Sequence, residues 1–184
     1  MADEKLNMDE LQRRLREIRL LVSDVDGVLT DGGIYLGKNE ELKRYDSRDG
    51  SAVKYLMRAG LEFALITGRR SASVERRATE LGVEHVIQGA LKKLPAFQEL
   101  LEQLNLKPHQ AVYIGDDLLD LPPMRAAGVG VAVSDAAADV RKHADYITEK
   151  SGGRAAVREV VELILNAQGK WAQVVKAYLE QTIT

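Results

Sequence analysis

The sequence predicts an α/β protein: a mostly parallel sheet with helices on both faces and a protruding β-hairpin. Three observations carry that expectation. Short apolar runs at residues 20–22, 61–66, 85–87, 111–114 and 129–133 alternate with stretches of helical periodicity, the pattern of βαβ units feeding a parallel sheet. Residues 63–66, 111–114 and 129–133 are apolar throughout rather than alternating, as strands covered on both faces are. Several end in acidic or glycine-rich loops, and ligands of open α/β sheets collect at the carboxyl ends of the strands.

Residues 1–8 read as a loose end. Over residues 8–19, Leu11, Leu15 and Ile18 fall on one side among charges, the spacing of a short amphipathic helix. The first strand, 20–22, runs into Ser23-Asp24-Val25-Asp26-Gly27-Val28-Leu29-Thr30-Asp31-Gly32. Residues 34–36 and 42–45, around a turn with Gly37 and Asn39, predict a hairpin, about 33–46. An isolated hairpin is marginal in water. This one carries Ile34, Leu36 and two tyrosines, so it should pack on its own domain or on another subunit. Residues 49–60 predict a helix with Val53, Leu56 and Met57 inward and Gly60 as C-cap. The second strand, 61–66, ends at Thr67-Gly68-Arg69-Arg70. Ser71 starts a helix to Leu81, closed by Gly82. A third strand, 85–87, precedes a helix over 91–104 with Lys92 and Lys93 in its first turn. The fourth strand, 111–114, ends at Gly115-Asp116-Asp117, and the following helix takes Pro122 and Pro123 into its first turn. Then come a strand at 129–133, a short helix through Val140 and a short strand at 145–147. Two closing helices, 154–168 and 170–181, make a helical tail, about 154–184.

At 184 residues, 45% hydrophobic and 29% charged, the chain suits a single domain spanning 1–184. A net charge of −2 argues against a general nucleic-acid binder. With no cysteine there is no disulfide framework and no thiolate chemistry. No apolar run is long enough to span a bilayer, and the charged start (Asp3, Glu4, Lys5) lacks a signal-peptide core. A cytoplasmic protein without membrane or nucleic-acid partners is expected.

The chemistry collects at the strand ends. Asp24 and Asp26 are two apart, so an extended backbone points them the same way. Paired carboxylates need a shared proton or a hard cation such as Mg²⁺ to offset their repulsion. Asp116 and Asp117, with Asp120 beyond, follow another strand, and carboxylates from two strands can share one Mg²⁺. The Thr67 hydroxyl, the backbone at Gly68 and a lysine at 92 or 93 would cradle a phosphoryl group, helped by helix N-termini at Ser71 and Leu91. Singly, these are a turn, a solvated helix face and an N-cap. Together at the strand ends of one sheet, they make a metal site beside a cationic clamp, the layout phosphoryl transfer requires.

The set Asp24-Val25-Asp26-Gly27-Val28-Leu29-Thr30, Ile66-Thr67-Gly68-Arg69, a lysine and Gly115-Asp116-Asp117-Leu118-Leu119-Asp120 resembles the four motifs of the haloacid dehalogenase superfamily of aspartate-nucleophile phosphatases. The resemblance covers about residues 20–168 and implies its Rossmann-like fold. Finer features are similar to its capless branch, the 3-deoxy-D-manno-octulosonate 8-phosphate phosphatase family: Thr30-Asp31-Gly32, the hairpin, Arg48-Asp49-Gly50, Gln88-Gly89 before the lysine, and Gly152-Gly153-Arg154-Ala155-Ala156-Val157-Arg158-Glu159. Two departures are Ser23, where the branch has an aromatic residue, and Ala90-Leu91-Lys92, where it is more polar and which leaves Lys92 a rival of Lys93. The resemblance implies Asp24 as nucleophile and Mg²⁺ ligand. Asp26 would be the general acid/base, with its carbonyl on the metal, and Asp116 the third ligand. Thr67, Gly68 and Lys93 would bind phosphate. Asp117 and Asp120 would orient waters and Lys93. Arg48, Arg69 and Arg154 are candidates for the substrate carboxylate.

The activity so implied is Mg²⁺-dependent hydrolysis of a phosphorylated 2-keto-3-deoxy sugar acid through an aspartyl-phosphate, in lipopolysaccharide precursor synthesis. Alternatives are a phosphatase for the nine-carbon homologue, a receiver-like phosphoacceptor domain, and a non-catalytic oligomerisation module. A receiver needs no acid/base two residues after its nucleophile, and a passive module needs no acidic set. Neither the segment between Asp26 and Thr67 nor that between Thr67 and Lys93 has room for a cap domain. A homo-oligomer, a tetramer as in the resembled family, is therefore expected to close the sites. Hairpins would pair between subunits, and Lys43 or Arg44 would add positive charge to a neighbour's site.

Overall fold

The computed structural model describes residues 6–38 and 40–182. Most of the expected loose end, Asn39 of the hairpin turn and the last two residues lie outside the described residues. In chain order the elements are α1 (Met8–Leu15), β1 (Leu20–Ser23), β2 (Thr30–Leu36), β3 (Glu41–Tyr45), α2 (Ser47–Arg58), β4 (Glu62–Thr67), α3 (Ala72–Leu81), β5 (His85–Gln88) and α4 (Lys93–Gln103), followed by β6 (Ala111–Gly115), α5 (Leu121–Ala126), β7 (Val129–Ala132), α6 (Ala138–His143), β8 (Tyr146–Ile147), α7 (Ala156–Ala167) and α8 (Trp171–Leu179).

Six strands form one sheet in the order β5-β4-β1-β6-β7-β8, every neighbouring pair parallel. All four residues of β1 are buried, as a central strand covered on both faces must be. α2 packs on α3, and α5 packs on α4 and α6, the two helical layers that right-handed crossovers give when the chain steps outward from β1 through β4 to β5 and then returns across the sheet to β6. The buried side of α7 (Val157, Val160, Val161, Ile164 and Leu165) packs on α2. Each such side chain contributes roughly 1.5–3 kcal/mol of transfer free energy.

Several boundaries differ from those the sequence predicts. The first hairpin strand starts at Thr30, so β2 takes up part of the acidic loop, with an irregularity in the ladder between Thr30 and Ile34. Asn7 opens α1 by accepting the Glu10 N–H at 2.9 Å. The fourth helix starts at Lys93, not at 91, because the loop before it is tied to the end of β4: Ala90 N–H donates to Thr67 O at 3.0 Å and Gly89 N–H to Arg69 O at 3.1 Å. The last long helix starts at Ala156, two residues late, because Gly152 and Gly153 lie against the β1 loop. Gly153 N–H donates to Val28 O at 2.8 Å, and a side chain at Gly152 would overlap the Gly27 carbonyl. The hairpin packs partly on its own domain, with α3 against β3 and the Arg77 guanidinium 5.6 Å from the Tyr45 ring centre. Tyr35, Leu36 and Leu42 stay 58%, 78% and 55% exposed.

Candidate active site

Three of the polar strand ends are neighbours at the centre of the sheet. Asp24 follows β1, Thr67 ends β4 on one side, and Asp116 follows β6 on the other. The chain leaves β1 and β6 in opposite directions, which opens a crevice between them at their carboxyl ends.

Asp24 is 7% exposed. Its Oδ2 lies 2.9 Å from Lys93 Nζ, which also reaches Asp120 Oδ1 at 2.6 Å. Asp120 is fully buried and accepts four hydrogen bonds. Lys93 and the Tyr113 hydroxyl (3.0 Å) share Oδ1, and the backbone N–H groups of Asp116 (3.2 Å) and Asp117 (3.3 Å) share Oδ2. That network fixes the lysine and the Asp116 loop together. Lys93, the first residue of α4, is buried, and Lys92 before it is exposed. The turn that delays α4 thus separates the two rival lysines.

One carboxylate oxygen from each of Asp24, Asp116 and Asp120 lies within 4.8 Å of the others. Asp24 Oδ1 and Asp116 Oδ1 are buried without a hydrogen-bond partner. Burial, then the neighbouring Asp120 charge, pushes Asp24 up to about 7. Burial, then Asp24, pushes Asp116 up to about 8. Lys93 is pulled down by its own burial, but Asp24 and Asp120 outweigh that and leave it raised. Two orphaned hard oxygens in an over-acidic pocket fit a divalent cation such as Mg²⁺. The Asp120 oxygens are already committed, so Asp24 and Asp116 are the side chains left to ligate. Gly27, at φ +86°, comes so close to Asp116 that a side chain there would overlap the carboxylate.

Asp26 goes elsewhere. The strand ends at Ser23 and the chain turns, Thr30 N–H donating to Val25 O at 3.0 Å. Asp26 Oδ1 then accepts from Lys43 Nζ at 2.5 Å. The sequence offers Lys43 or Arg44 to a neighbour's site; within the chain Lys43 meets Asp26, and Arg44 meets Asp31 at 3.2 Å. Ser23 is buried, its hydroxyl donating to the Asp24 carbonyl at 2.6 Å.

The remaining candidates divide. Thr67 is buried at the end of β4, its Oγ1 accepting from Arg69 N–H at 3.4 Å, and Gly68 follows it. Asp117 is exposed and caps the next turn through Leu118 N–H at 2.8 Å; it does not reach Lys93. Among the arginines, Arg69 lies 3.9 Å from Asp26 Oδ2 and 2.9 Å from Glu41. Arg48 pairs with Asp46 at 2.7 Å, and Arg154 is exposed just after the Gly152-Gly153 turn. Tyr113 and Glu41 join the network without having been singled out in the sequence. Tyr113 reads there as one more apolar strand residue. A hollow of about 410 Å³ between α2 and α8, lined by Tyr55, Lys170 and Tyr178 among others, carries none of these groups.

Residues 85–160 match the family model for haloacid dehalogenase-like hydrolase. The chain is 49% identical over 158 residues, 85% of this chain and 84% of that protein, to 3-deoxy-D-manno-octulosonate 8-phosphate phosphatase KdsC of Escherichia coli K12. The crystal structure of the Moraxella catarrhalis 3-deoxy-D-manno-octulosonate 8-phosphate phosphatase, in complex with magnesium ion, phosphate ion and a KDO molecule, superposes with a TM-score of 0.91 at 42% identity, covering 94% of this chain and 99% of that one. The cobalt-bound enzyme from Haemophilus influenzae gives a TM-score of 0.83 at 40% identity, covering 85% and 92%.

Proposed function

This chain belongs to the 3-deoxy-D-manno-octulosonate 8-phosphate phosphatase family of haloacid dehalogenase-like hydrolases, and from that premise we propose that it hydrolyses 3-deoxy-D-manno-octulosonate 8-phosphate to the free sugar acid and phosphate, with Mg²⁺ as cofactor. The observation that carries the reading is the buried Asp24–Lys93–Asp120 network beside the orphaned oxygens of Asp24 and Asp116. The family selects the eight-carbon acid over its nine-carbon homologue.

Asp24 and Asp116 would hold the Mg²⁺, with the Asp26 carbonyl as a further ligand. When bound, the ion offsets the carboxylate charge and draws negative charge off the phosphoryl oxygens. The chain's own groups do the rest. An Asp24 oxygen attacks phosphorus in line, and the bond from phosphorus to the sugar oxygen breaks. Asp26 gives its proton to that oxygen. It then takes one from the water that attacks the aspartyl-phosphate and frees Asp24. Thr67, the Gly68 backbone and Lys93 hold the phosphoryl oxygens, and Asp120, backed by Tyr113, aims Lys93. Arg69 is the arginine best placed for the leaving group, with Arg48 and Arg154 as further candidates for the carboxylate.

The reading takes the chain as one domain in the cytoplasm. One hydrophobic core supports the first point. No described helix is long and apolar enough to cross a membrane. The functional unit is a homo-oligomer, a tetramer in the reading favoured here, because no cap covers the crevice. The deciding experiment compares kcat/KM for the eight- and nine-carbon sugar acid phosphates and for neutral sugar phosphates, with Mg²⁺ and after EDTA. The eight-carbon acid should lead, and EDTA should abolish turnover reversibly. A preference for neutral sugar phosphates, or full activity without metal, refutes the assignment.

A further inference from the structure

We infer that Lys43, on β3 of the hairpin, is a positioning residue for the reaction: it grips one oxygen of Asp26 and so presents the other to the leaving group and to water. The inference rests on the acid/base reading of Asp26.

The Lys43 side chain has no exposed surface, although the strand around it is open: Leu42 next to it is 55% exposed, and Ile34 opposite it is 37% exposed. A buried ammonium needs partners, and here they are carboxylates, Asp26 Oδ1 at 2.5 Å and Glu41 Oε1 at 3.2 Å. Glu41 lies two residues earlier, so the strand repeat puts it on the same face as Lys43. Glu41 in turn holds Arg69 at 2.9 Å, and Arg69 Nε lies 3.9 Å from the second oxygen of Asp26. Two acids and two cations thus alternate in a closed ring that joins the hairpin to the catalytic loop. The ladder pairs Lys43 with Ile34, Glu41 with Leu36 and Tyr45 with Thr30, so the ring is built on an element whose register is set, as a precise site requires.

A carboxylate on a turn rotates easily about its last bond, and a general acid works only when its proton lies within hydrogen-bond reach of the leaving oxygen. The Lys43 bond removes that freedom by occupying Oδ1. Oδ2 is buried without a hydrogen-bond partner among the described residues, which leaves it as the oxygen to exchange the proton. It gives the proton to the bridging oxygen, which keeps the electron pair of its broken bond to phosphorus and leaves as the sugar hydroxyl. It then takes a proton from the water whose oxygen bonds to phosphorus as the bond to Asp24 breaks.

The test is single-turnover and steady-state kinetics of the full chain with Lys43→Met and Lys43→Arg, alone and combined with Asp26→Asn. The substrates are 3-deoxy-D-manno-octulosonate 8-phosphate and p-nitrophenyl phosphate, whose leaving group needs no proton. Lys43→Met should lower kcat on the sugar substrate about 10- to 100-fold, the loss expected when an acid is mis-aimed. KM should hold, and single-turnover release of p-nitrophenol, which precedes the water step, should stay close to wild type and so report an intact site. Lys43→Arg should recover most of the loss, and Lys43→Met should cost nothing further once Asp26 is Asn. Should the Met variant fail to fold, Lys43→Gln against Lys43→Arg makes the same comparison. Equal losses on both substrates in single-turnover leaving-group release, or a raised KM at unchanged kcat, overturn the inference. If Asp26→Asn discriminates between the substrates and Lys43→Met does not, only the positioning role falls. If Asp26→Asn itself costs both equally, the acid/base reading falls and this inference with it.

Discussion

At the residue scale, Asp24 carries the sharpest consequence. Asp24→Asn keeps the size and one oxygen for Lys93 but removes the attacking charge, so turnover should drop at least about a thousandfold. Lys93 keeps Asp120 at 2.6 Å, and one member of a repelling buried set is gone, so the melting temperature of the metal-free variant should equal or exceed that of wild type. Near-normal turnover in a stopped phosphate-release assay would remove Asp24 from its role. The acids of this site are legible in sequence because each ends a buried strand, so that strand pairing alone brings Asp24 and Asp116 together. Lys93 is half-legible: helical periodicity admits Lys92 equally, and only the Ala90–Thr67 backbone bond, which delays the helix, buries one and exposes the other. Tyr113 is not legible, and Lys43 is legible only as one of two positive charges on the hairpin. Their partners, Asp120 and Asp26, are met through space, which the local pattern of a strand does not mark.

At the element scale, the loop between β8 and α7 is held by an acid from another helix. Asp49 in α2 is 1% exposed. It accepts from the backbone N–H of Ala155 at 3.2 Å and of Arg158 at 2.8 Å, capping α7 where Ala155, at φ +76°, has no side-chain cap of its own. Burial outweighs those two bonds and raises Asp49 to about 6. A carboxyl raised on folding stabilises most while protonated, below its unfolded pKa near 4, and that contribution is lost as pH climbs through 6. A shift of this size is worth on the order of 2–3 kcal/mol. Asp49→Asn, which cannot ionise, should therefore shrink the fall in the urea midpoint of metal-free protein between pH 4.5 and pH 7. An unchanged fall in the variant would mean that Asp49 stays ionised throughout. The helices and strands themselves are readable from periodicity, but the sheet order is not, because the crossover rule fixes only the face on which each connecting helix packs. The misplaced starts of β2, α4 and α7 share one cause. Each adjoins the site, where loop-to-loop hydrogen bonds such as Gly153–Val28 set the boundary instead of local propensity.

At the scale of the whole molecule, the described elements include no inserted cap domain, and the surface around the crevice has apolar groups to spare. Leu91, Leu118 and Leu119, beside the lysine and Asp117 loops, are 73%, 57% and 47% exposed, and a side chain at Gly68 would come within 3.7 Å of Leu119. The hairpin has two faces with different tasks. The cross-strand pairs Ile34–Lys43 and Leu36–Glu41 define the one turned to Asp26, and the pair Tyr35–Leu42 defines the other. Removing each of these large side chains from water contributes roughly 1.5–3 kcal/mol, and pairing hairpins in a closed assembly also removes their open edges. A charge at Ile34 or Leu36 would strike the Lys43 face as well as the assembly. Tyr35→Asp with Leu42→Asp loads only the outer face. In the proposed homo-oligomer, that double variant should lower the mass measured by light scattering. If a neighbour covers the sugar acid, the variant should raise KM for the sugar acid phosphate far more than KM for p-nitrophenyl phosphate. Because Lys43 and Glu41 keep their partners, kcat on the small substrate should hold. A wild-type enzyme that is monomeric at assay concentration and binds its sugar acid as tightly as the double variant removes the oligomer from the mechanism and leaves the crevice to work uncovered.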